Sequence, residues 1–185
     1  MKVKRKKSNR IRQGDVYKNV EYIEFVKERA GDIEISRIEF PLVIVLTQDC
    51  DLERDFEFRY GRKKPKPTTQ DKYLLSVLVA PLYNAEHVYL GEHLDQLNIK
   101  MEPINKIKSP GENLRKNERP RYHYLEFPSE VPIVPSVIDF KHYFSVNVEY
   151  LRKIQKENFV CGVSPLYRED ISLRFANFLS RIGLP

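Results

Sequence analysis

The sequence predicts an α+β fold in which short strands form a small barrel or curled sheet and helices follow late in the chain. Two short apolar runs, at 42–46 and 73–80, predict the core strands of the sheet. Near the end of the chain, apolar residues recur at helical spacing and predict a closing helix. A chain of 185 residues has the length of one domain with a buried core.

The first half of the chain alternates extended segments with turn signals. Residues 15–26 are predicted to be extended with a bulge, because their apolar residues alternate and then slip by one position. Ala30-Gly31-Asp32 is a turn signal, and a strand is predicted at 33–38. Pro41 opens the run 42–46, which is apolar on both faces and is therefore the predicted central strand.

Two polar insertions flank the second core strand. Residues 59–72 form a basic connector with two prolines. The core strand at 73–80 ends at Pro81, and a short helix is predicted between His87 and Leu97. Residues 100–121 are rich in basic side chains and interrupted by proline and glycine, so they are predicted to be a long exposed insertion.

The last third returns to the sheet and closes with helices. Strands are predicted at 122–127 and 137–140, and a short helix at 147–154. In the final, amphipathic helix Ser164 is the predicted cap and Pro165 the first helical residue. Gly183 is predicted to end this helix. The apolar face of the helix consists of Ile171, Phe175, Phe178, Leu179 and Ile182.

The net charge of +6 is located in one segment. Residues 1–12 contain seven basic residues and no acidic one, so the remaining 25 basic and 26 acidic residues give residues 13–185 a net charge of −1. This distribution predicts a basic flexible tail, 1–12, on a single near-neutral globular domain, 13–185. It argues against a domain that is basic all over, but a local basic groove remains compatible with it.

Composition excludes several classes of protein. Two cysteines do not make a disulfide framework and favour a reduced, cytoplasmic protein. The longest apolar run, 40–46, is too short to cross a bilayer, and the charged N-terminus is not followed by the apolar segment of a signal peptide, so no membrane partner is expected. The sequence lacks Cys-x-x-Cys, Gly-x-Ser-x-Gly and a glycine-rich phosphate loop, which argues against dinucleotide folds, P-loop enzymes and classical zinc fingers.

The segment Gln48-Asp49-Cys50-Asp51 follows the predicted central strand and is the first candidate site. Its carboxylates suit a divalent cation or a general base, and Cys50 suits a nucleophile with one of the histidines 87, 93, 123 or 142 as base. The alternative is that both aspartates cap a turn and Cys50 is buried. His123, between two tyrosines of a predicted strand, is expected to be structural. The spacing fits no strict metal motif, so no metal ion or other cofactor is predicted.

Basic loops are the second candidate site. Basic side chains neutralise phosphates and aromatic rings stack on unpaired bases, so the loops 59–66 and 100–121, with Tyr60 and Tyr122 beside them, favour single-stranded RNA. The alternative is that they are solvated loops. The predicted RNA-binding residues are Arg59, Arg62, Lys63, Lys64 and Lys66.

Four segments together resemble the MazF/PemK family of toxins. Gln13-Gly-Asp-Val-Tyr17 resembles the family's opening strand, residues 40–46 its Arg-Pro-apolar strand, residues 73–81 its next core strand, and 135–154 its late strand and helix. The resemblance implies an SH3-like barrel that cleaves single-stranded RNA, within a toxin–antitoxin or phage-defence system, with an antitoxin partner and a homodimeric state. Phe40 stands where the family has its catalytic arginine, and Tyr83 falls near the family's catalytic threonine or serine.

Two functional hypotheses result. In the first, the barrel binds or cleaves single-stranded RNA, with Gln48, Asp49 and Asp51 in polarising or acid–base roles and Arg37, together with Lys63 and Lys64, on the phosphate. In the second, the protein is a non-enzymatic interaction module. Its barrel and C-terminal helix then bind a protein partner, and the basic tail adds electrostatic attraction.

Overall fold

The computed structural model describes residues 1–61 and 70–181, and these form a curled antiparallel half-barrel sheet with a C-terminal helix. The predicted α+β class and curled sheet are confirmed. The strands are β1 Val3–Lys4, β2 Asp15–Arg29, β3 Asp32–Val45, β4 Ser76–Asn84, β5 Tyr122–Leu125, β6 Ser136–Asp139, β7 Phe144–Asn147 and β8 Phe159–Val163. The helices are α1 Asp49–Tyr60, α2 Ala85–Leu90, α3 Ser109–Arg115, α4 Val148–Asn158 and α5 Pro165–Leu179.

The sheet runs in the order β1-β8-β2-β3-β4-β6-β5, and β7 also pairs with β4. β4 is its hub, since it pairs with β3, β6 and β7 along different parts of its length. Pro81 does not end this strand as predicted, because β4 continues to Asn84 and pairs there with β6.

β2 and β3 form one long hairpin. Ala30 and Gly31 both have positive φ, 53° and 90°, the conformation of the two-residue turn that suits twisted strands. The register shifts between Ile23 and Phe25, which confirms the predicted bulge. The predicted strands 33–38 and 42–46 are one strand in the structure. Pro41 is tolerated there because β3 pairs with β4 only from Val43 onward, so no ladder hydrogen bond to β4 is lost.

The later elements match the prediction in part. The strands at 122–127 and 137–140 and the helix at 147–154 are found as β5, β6 and α4, whereas α1, β7 and β8 were not predicted. Residues 62–69 of the predicted connector lie outside the described residues. The insertion 100–121 differs from its prediction, because it contains α3, whose Leu114 is fully buried. This side chain belongs to a small apolar cluster with Tyr89 and Val137.

Two larger apolar clusters lie on the two faces of the sheet. One contains Ile44 and Phe140 and is covered by Ile171 and Phe175 of α5. The other contains Tyr17, with Leu52 of α1 and Leu151 of α4. Ser164 occupies the N-cap of α5 and Pro165 its first position as predicted, but the Ser164 side chain makes no capping hydrogen bond. The predicted apolar face is buried only at Ile171 and Phe175, and Leu179 is 50% exposed. The predicted helix end at Gly183 lies outside the described residues.

The N-terminal segment 1–12 packs on the body of the protein. β1 adds to the edge of β8, with Val3 opposite Val163, and Ile11 is 3% exposed. Arg10 bonds to Asp49 at the start of α1. This placement differs from the flexible tail that the charge pattern predicts, because the segment contributes an apolar anchor and a strand as well as charge. Among the described residues, no helix is long and apolar enough to span a membrane.

Candidate functional site

Asp49, the leading predicted base, is held in a network of cations. Its carboxylate accepts two hydrogen bonds from the Arg10 guanidinium, at 2.9 and 3.1 Å, and lies 3.1 Å from Nη1 of Arg168. The backbone N–H of Gln13 donates a further bond of 3.3 Å. Burial favours the neutral acid, but the bond and charge of Arg10 and the charge of Arg168 outweigh it and lower the pKa of Asp49. A carboxylate held ionised in this way is a poor proton acceptor, and its contacts are those of a structural ion pair.

Of the other residues predicted near Asp49, Gln48 and Cys50 line an open surface pocket with it, whereas Arg37 lies apart. Gln48 occupies the N-cap of α1 and uses its backbone carbonyl to accept from Leu52 N–H at 3.2 Å. Cys50 is exposed, not buried as the alternative interpretation expects, and its thiol contacts the side chains of Gln48 and Asp51. Arg37 lies on the β2–β3 hairpin and pairs with Glu21 at 2.9 Å.

The predicted RNA-binding residues divide into two groups. Arg59 pairs with Asp55 at 2.8 Å and Glu149 at 3.0 Å and donates to the Leu74 carbonyl at 2.8 Å. Its donors therefore hold α1 against α4 and against the segment that precedes β4. The other four lie outside the described residues: Arg62, Lys63, Lys64 and Lys66.

The structure instead brings together His93, Asp139 and His142, which are distant in sequence. Each offers one ligand atom, and these atoms all lie within 4.8 Å of one another. His93 follows the turn that ends α2, where Gly91 has a φ of 77° and a Cβ would collide with the Met101 carbonyl. This tight turn sets the path of the chain on which His93 sits.

Asp139 organises the cluster from the end of β6. Its carboxylate is fully buried and accepts from Nε of Arg121 at 2.8 Å and from the guanidinium Nη2 at 2.5 Å. It also caps the short 3-10 turn at 140–142 by accepting from the Lys141 N–H at 3.0 Å. That cap places Nδ1 of His142 only 3.4 Å from Asp139 Oδ2.

His93 has two buried ring nitrogens, and neither has a hydrogen-bond partner among the described residues. Buried polar groups of folded proteins are almost always paired, so these nitrogens are open to water or to a ligand. The His93 ring lies edge-on to the ring of Tyr83, with centroids 4.9 Å apart. The Tyr83 hydroxyl in turn lies 3.1 Å from His142 Nδ1.

The protonation states of the cluster suit metal ligation. Burial lowers the pKa of His93 and of His142, although the charge of Asp139 opposes the change in both. Both rings are therefore neutral near pH 7 and keep a lone pair for a ligand. Burial, and next the charge of Asp139, raises the pKa of Tyr83, so its hydroxyl keeps its proton and can donate.

A pocket of about 310 Å³ opens beside the cluster. His93 and Tyr83 form part of its wall, and Phe40 and other apolar side chains of β3 and of the segment 94–97 form most of the remainder. Two carboxylates, Glu39 and Glu92, also line it, and the described lining residues include no Lys or Arg. The pocket therefore suits a small molecule with an apolar part better than a polyanion.

Sequence reasoning named His93 and His142 only as bases for Cys50 and did not name Asp139. The one local signal was the spacing Asp139-x-x-His142, which is short enough for a single turn to bring both side chains together. His123 has a different setting, as predicted: it is 2% exposed in the core, and burial, followed by the charge of Arg174, lowers its pKa to about 3.

Two imidazoles and one carboxylate form a donor set used for zinc and for non-haem iron. Ligand atoms of a tetrahedral zinc ion lie about 3.4 Å apart, so the Asp139–His142 separation of 3.4 Å already fits and the His93 ring has to approach by roughly an ångström. Arg121 would then hold the carboxylate ligand from behind. No family model and no curated protein matches this chain, so the residues themselves carry the functional argument.

Proposed function

We propose that this protein is a metal-dependent hydrolase whose divalent transition-metal ion is bound by His93, Asp139 and His142. The observation that carries the proposal is the convergence of three ligand atoms within 4.8 Å, next to the two unpartnered ring nitrogens of His93. Three protein ligands leave a coordination position for water, which is the arrangement of catalytic rather than structural zinc sites.

The groups around the cluster supply the other parts of a hydrolytic site. A zinc ion bound there would lower the pKa of its water ligand to about 7 and would so supply a hydroxide nucleophile near neutral pH. The Tyr83 hydroxyl, 3.1 Å from a proposed ligand atom and protonated, is placed to donate to the oxyanion that forms on the substrate. Arg121 fixes the orientation of Asp139 through bonds to both carboxylate oxygens.

The pocket indicates the substrate class. Its walls are largely apolar, its volume of about 310 Å³ admits a small molecule, and its charged lining residues Glu39 and Glu92 are acidic. A neutral or cationic ester or amide with an apolar group meets these conditions. A phosphate-rich substrate would find carboxylates where it needs cations.

Metal binding is tested first. The full chain, freed of metal with a chelator, is titrated with Zn²⁺ and Co²⁺ by calorimetry and by visible absorption of the cobalt form. We expect one site per chain, and a loss of affinity of at least roughly tenfold in His93→Ala and in His142→Ala. His87→Ala is the matched control, because His87 lines the same pocket outside the three-residue cluster. Equal affinity in all four proteins would contradict the proposal.

Hydrolysis is tested on a panel of small aryl esters and amides. We expect turnover that is lost on chelation, restored by Zn²⁺ or Co²⁺, and absent from His93→Ala. Tyr83→Phe should lower kcat by roughly tenfold or more and weaken metal binding less than either histidine substitution, because it removes the proposed donor and leaves all three ligand residues in place. Tight metal binding without any metal-dependent turnover would leave a metal-binding protein and refute the hydrolase.

The expected action on single-stranded RNA stays a second proposal, supported by the basic loops of the sequence. Its test is binding and cleavage of a mixed-sequence single-stranded RNA at two salt concentrations. If the protein shows no salt-sensitive binding and no cleavage, the proposal is refuted. Cleavage that survives His93→Ala would place the RNA site away from the metal cluster.

A further inference from the structure

A small cavity lies between the N-terminal segment and the start of α5. Its volume is about 40 Å³, which exceeds the roughly 10–15 Å³ that a single water requires. Residues between 4 and 13 line one side of it, and residues of β8 and of the first turn of α5 line the other. A ligand in this cavity therefore contacts both the segment 1–12 and the domain on which that segment packs.

A glycine of β8 opens the cavity. Gly162 lies opposite Lys4 of β1 and opposite Asp15 of β2, so these three residues form one row across the sheet and share a face. A Cβ at Gly162 would lie only 2.8 Å from Oδ1 of Asp15. The middle position of the row has no side chain, and this leaves space between Lys4 and Asp15.

Positive charge predominates in the lining of the cavity. The lining contains one carboxyl group, that of Asp15, and four cations: Lys4, Lys6, Arg12 and Arg168. Arg168 pairs with Asp49 at 3.1 Å, whereas the other three cations form no ion pair within the residues that the structure describes. Burial raises the pKa of Asp15 to about 7, so in slightly acidic solution this carboxyl group is uncharged and does not repel an anion.

Two of the lining residues have unsatisfied guanidinium donors. Nε of Arg12 and Nε of Arg168 are buried, and neither has a hydrogen-bond partner in the described part of the chain. Arg12 donates there only through its backbone N–H, which bonds Asp15 at 2.9 Å. Buried donors of folded proteins are almost always paired, and the planar guanidinium group matches the oxygens of an oxyanion. The two arginines therefore lack the acceptor that such an ion supplies.

We propose that this cavity binds one small tetrahedral oxyanion, sulfate or inorganic phosphate, and that the bound ion holds the segment 1–12 on the domain. Lys4, Lys6 and Arg12 provide donors from the segment and Arg168 from α5, so charge-assisted hydrogen bonds from both sides meet on the ion. A volume of about 40 Å³ has no room for the organic part of a larger phosphate ester, which selects the free ion.

Calorimetric titration of the full chain with sodium sulfate, at pH 6 and constant ionic strength, tests the proposal. We expect one sulfate per chain and a loss of affinity of roughly tenfold or more in Arg12→Gln, because that variant lacks a charged donor. The variant should fold, since the Arg12 guanidinium has no partner to lose in the described structure. Arg5→Gln is the matched control, because it makes the same charge change in the same segment at an exposed residue outside the lining. Circular dichroism checks the fold of both variants.

Hydrogen exchange of the backbone amides in 1–12 tests the effect on the segment. Sulfate should slow this exchange several-fold in the parent and in Arg5→Gln and leave it unchanged in Arg12→Gln. Glycerol 3-phosphate should bind several-fold more weakly than inorganic phosphate, because its organic part does not fit.

Three results would overturn the proposal: no sulfate binding by the parent, an equal loss of affinity in Arg5→Gln and Arg12→Gln, or tighter binding of the ester than of the free ion. The metal proposal fails or stands separately. His93 does not line this cavity, so His93→Ala should bind sulfate as the parent does.

Discussion

Among single residues, Asp15 is a carboxyl group whose ionisation opposes folding. It lies 4% exposed at the start of β2, where it accepts bonds from the Arg12 N–H at 2.9 Å and from the Tyr17 hydroxyl at 3.3 Å. Burial raises the pKa of Asp15 from 3.8 to about 7, since desolvation outweighs these two bonds. The folded protein therefore keeps a proton on Asp15 that the unfolded chain releases.

This pKa gives a pH dependence with a definite sign. Between about pH 4 and pH 7 the native state binds the extra proton, so the contribution of Asp15 to the free energy of unfolding falls as pH rises and is constant above pH 7. Asp15→Asn should remove that fall. The loss of stability between pH 4 and pH 8 should therefore be smaller in the variant than in the parent by on the order of 4 kcal/mol. Urea unfolding of both proteins at several pH values measures the difference. Parallel pH profiles would show that folding leaves the pKa of Asp15 unchanged.

The sequence alone predicted that polar side chains follow a core strand, but it did not predict which contacts those side chains make. The sequence correctly placed Asp49 directly after a core strand. Its role depends on Arg10 and Arg168, and nothing in the local spacing shows that these two guanidinium groups converge on it. The same limit applies to His93, because the ring reaches Asp139 only through the folded arrangement of α2 and β6.

Among the helices and strands, α1 and α4 are joined through a buried carboxylate. Asp55 of α1 is 0% exposed. Its two oxygens accept from Arg59 at 2.8 Å, from the Leu74 N–H at 2.8 Å and from Arg152 of α4 at 2.6 Å. This junction explains why α1 was not predicted: the described helix buries only Leu52 and Asp55, so it lacks an apolar stripe and depends on ion pairs.

Removing that carboxylate should separate the two helices. Asp55→Ala leaves the guanidinium groups of Arg59 and Arg152 partly buried without their acceptor, and breaking a buried pair in this way costs about 3–5 kcal/mol. Glu57→Ala, at an exposed position of the same helix, should change stability by less than about 0.5 kcal/mol. Thermal unfolding of both variants measures the two effects. Similar, small losses would mean that Asp55 contributes little to the junction.

The strands show which elements local pattern can predict. The apolar runs in β3 and β4 were recognisable because both faces of each run are buried, whereas β8 was missed because its five residues become a strand only between β1 and β2. Turn chemistry was equally local, and the turn at Ala30-Gly31 was predicted for that reason. Elements stabilised by distant partners carry no comparable signal in their own residues.

For the whole molecule, the N-terminal segment joins several elements. β1 extends the sheet beyond β8, Ile11 enters the apolar cluster around Tyr17, and Arg10 bonds to the beginning of α1. Counting charge separated this segment from the domain, since residues 1–12 carry +7 and the remainder −1. Net charge does not show whether a segment packs on the domain. Here the basic side chains lie in the same segment as β1 and Ile11, which hold that segment on the domain.

Truncation and neutralisation separate these two roles. Deleting residues 1–12 removes the pairing with β8, the buried Ile11 and the main partner of Asp49, and should lower the free energy of unfolding by at least about 3 kcal/mol. Replacing Lys2, Lys4, Lys6 and Lys7 by Gln keeps those contacts, because all four side chains are exposed.

The neutralised chain should therefore unfold within about 1 kcal/mol of the parent. Any general affinity for single-stranded RNA should fall in both proteins and lose part of its salt dependence, since both lack these cations. Urea unfolding and RNA titration of the three proteins give both readouts. If the truncated chain is as stable as the parent, residues 1–12 do not stabilise the fold and the predicted flexible tail is correct. A neutralised chain as unstable as the truncated one would assign the stabilising role to charge instead of packing.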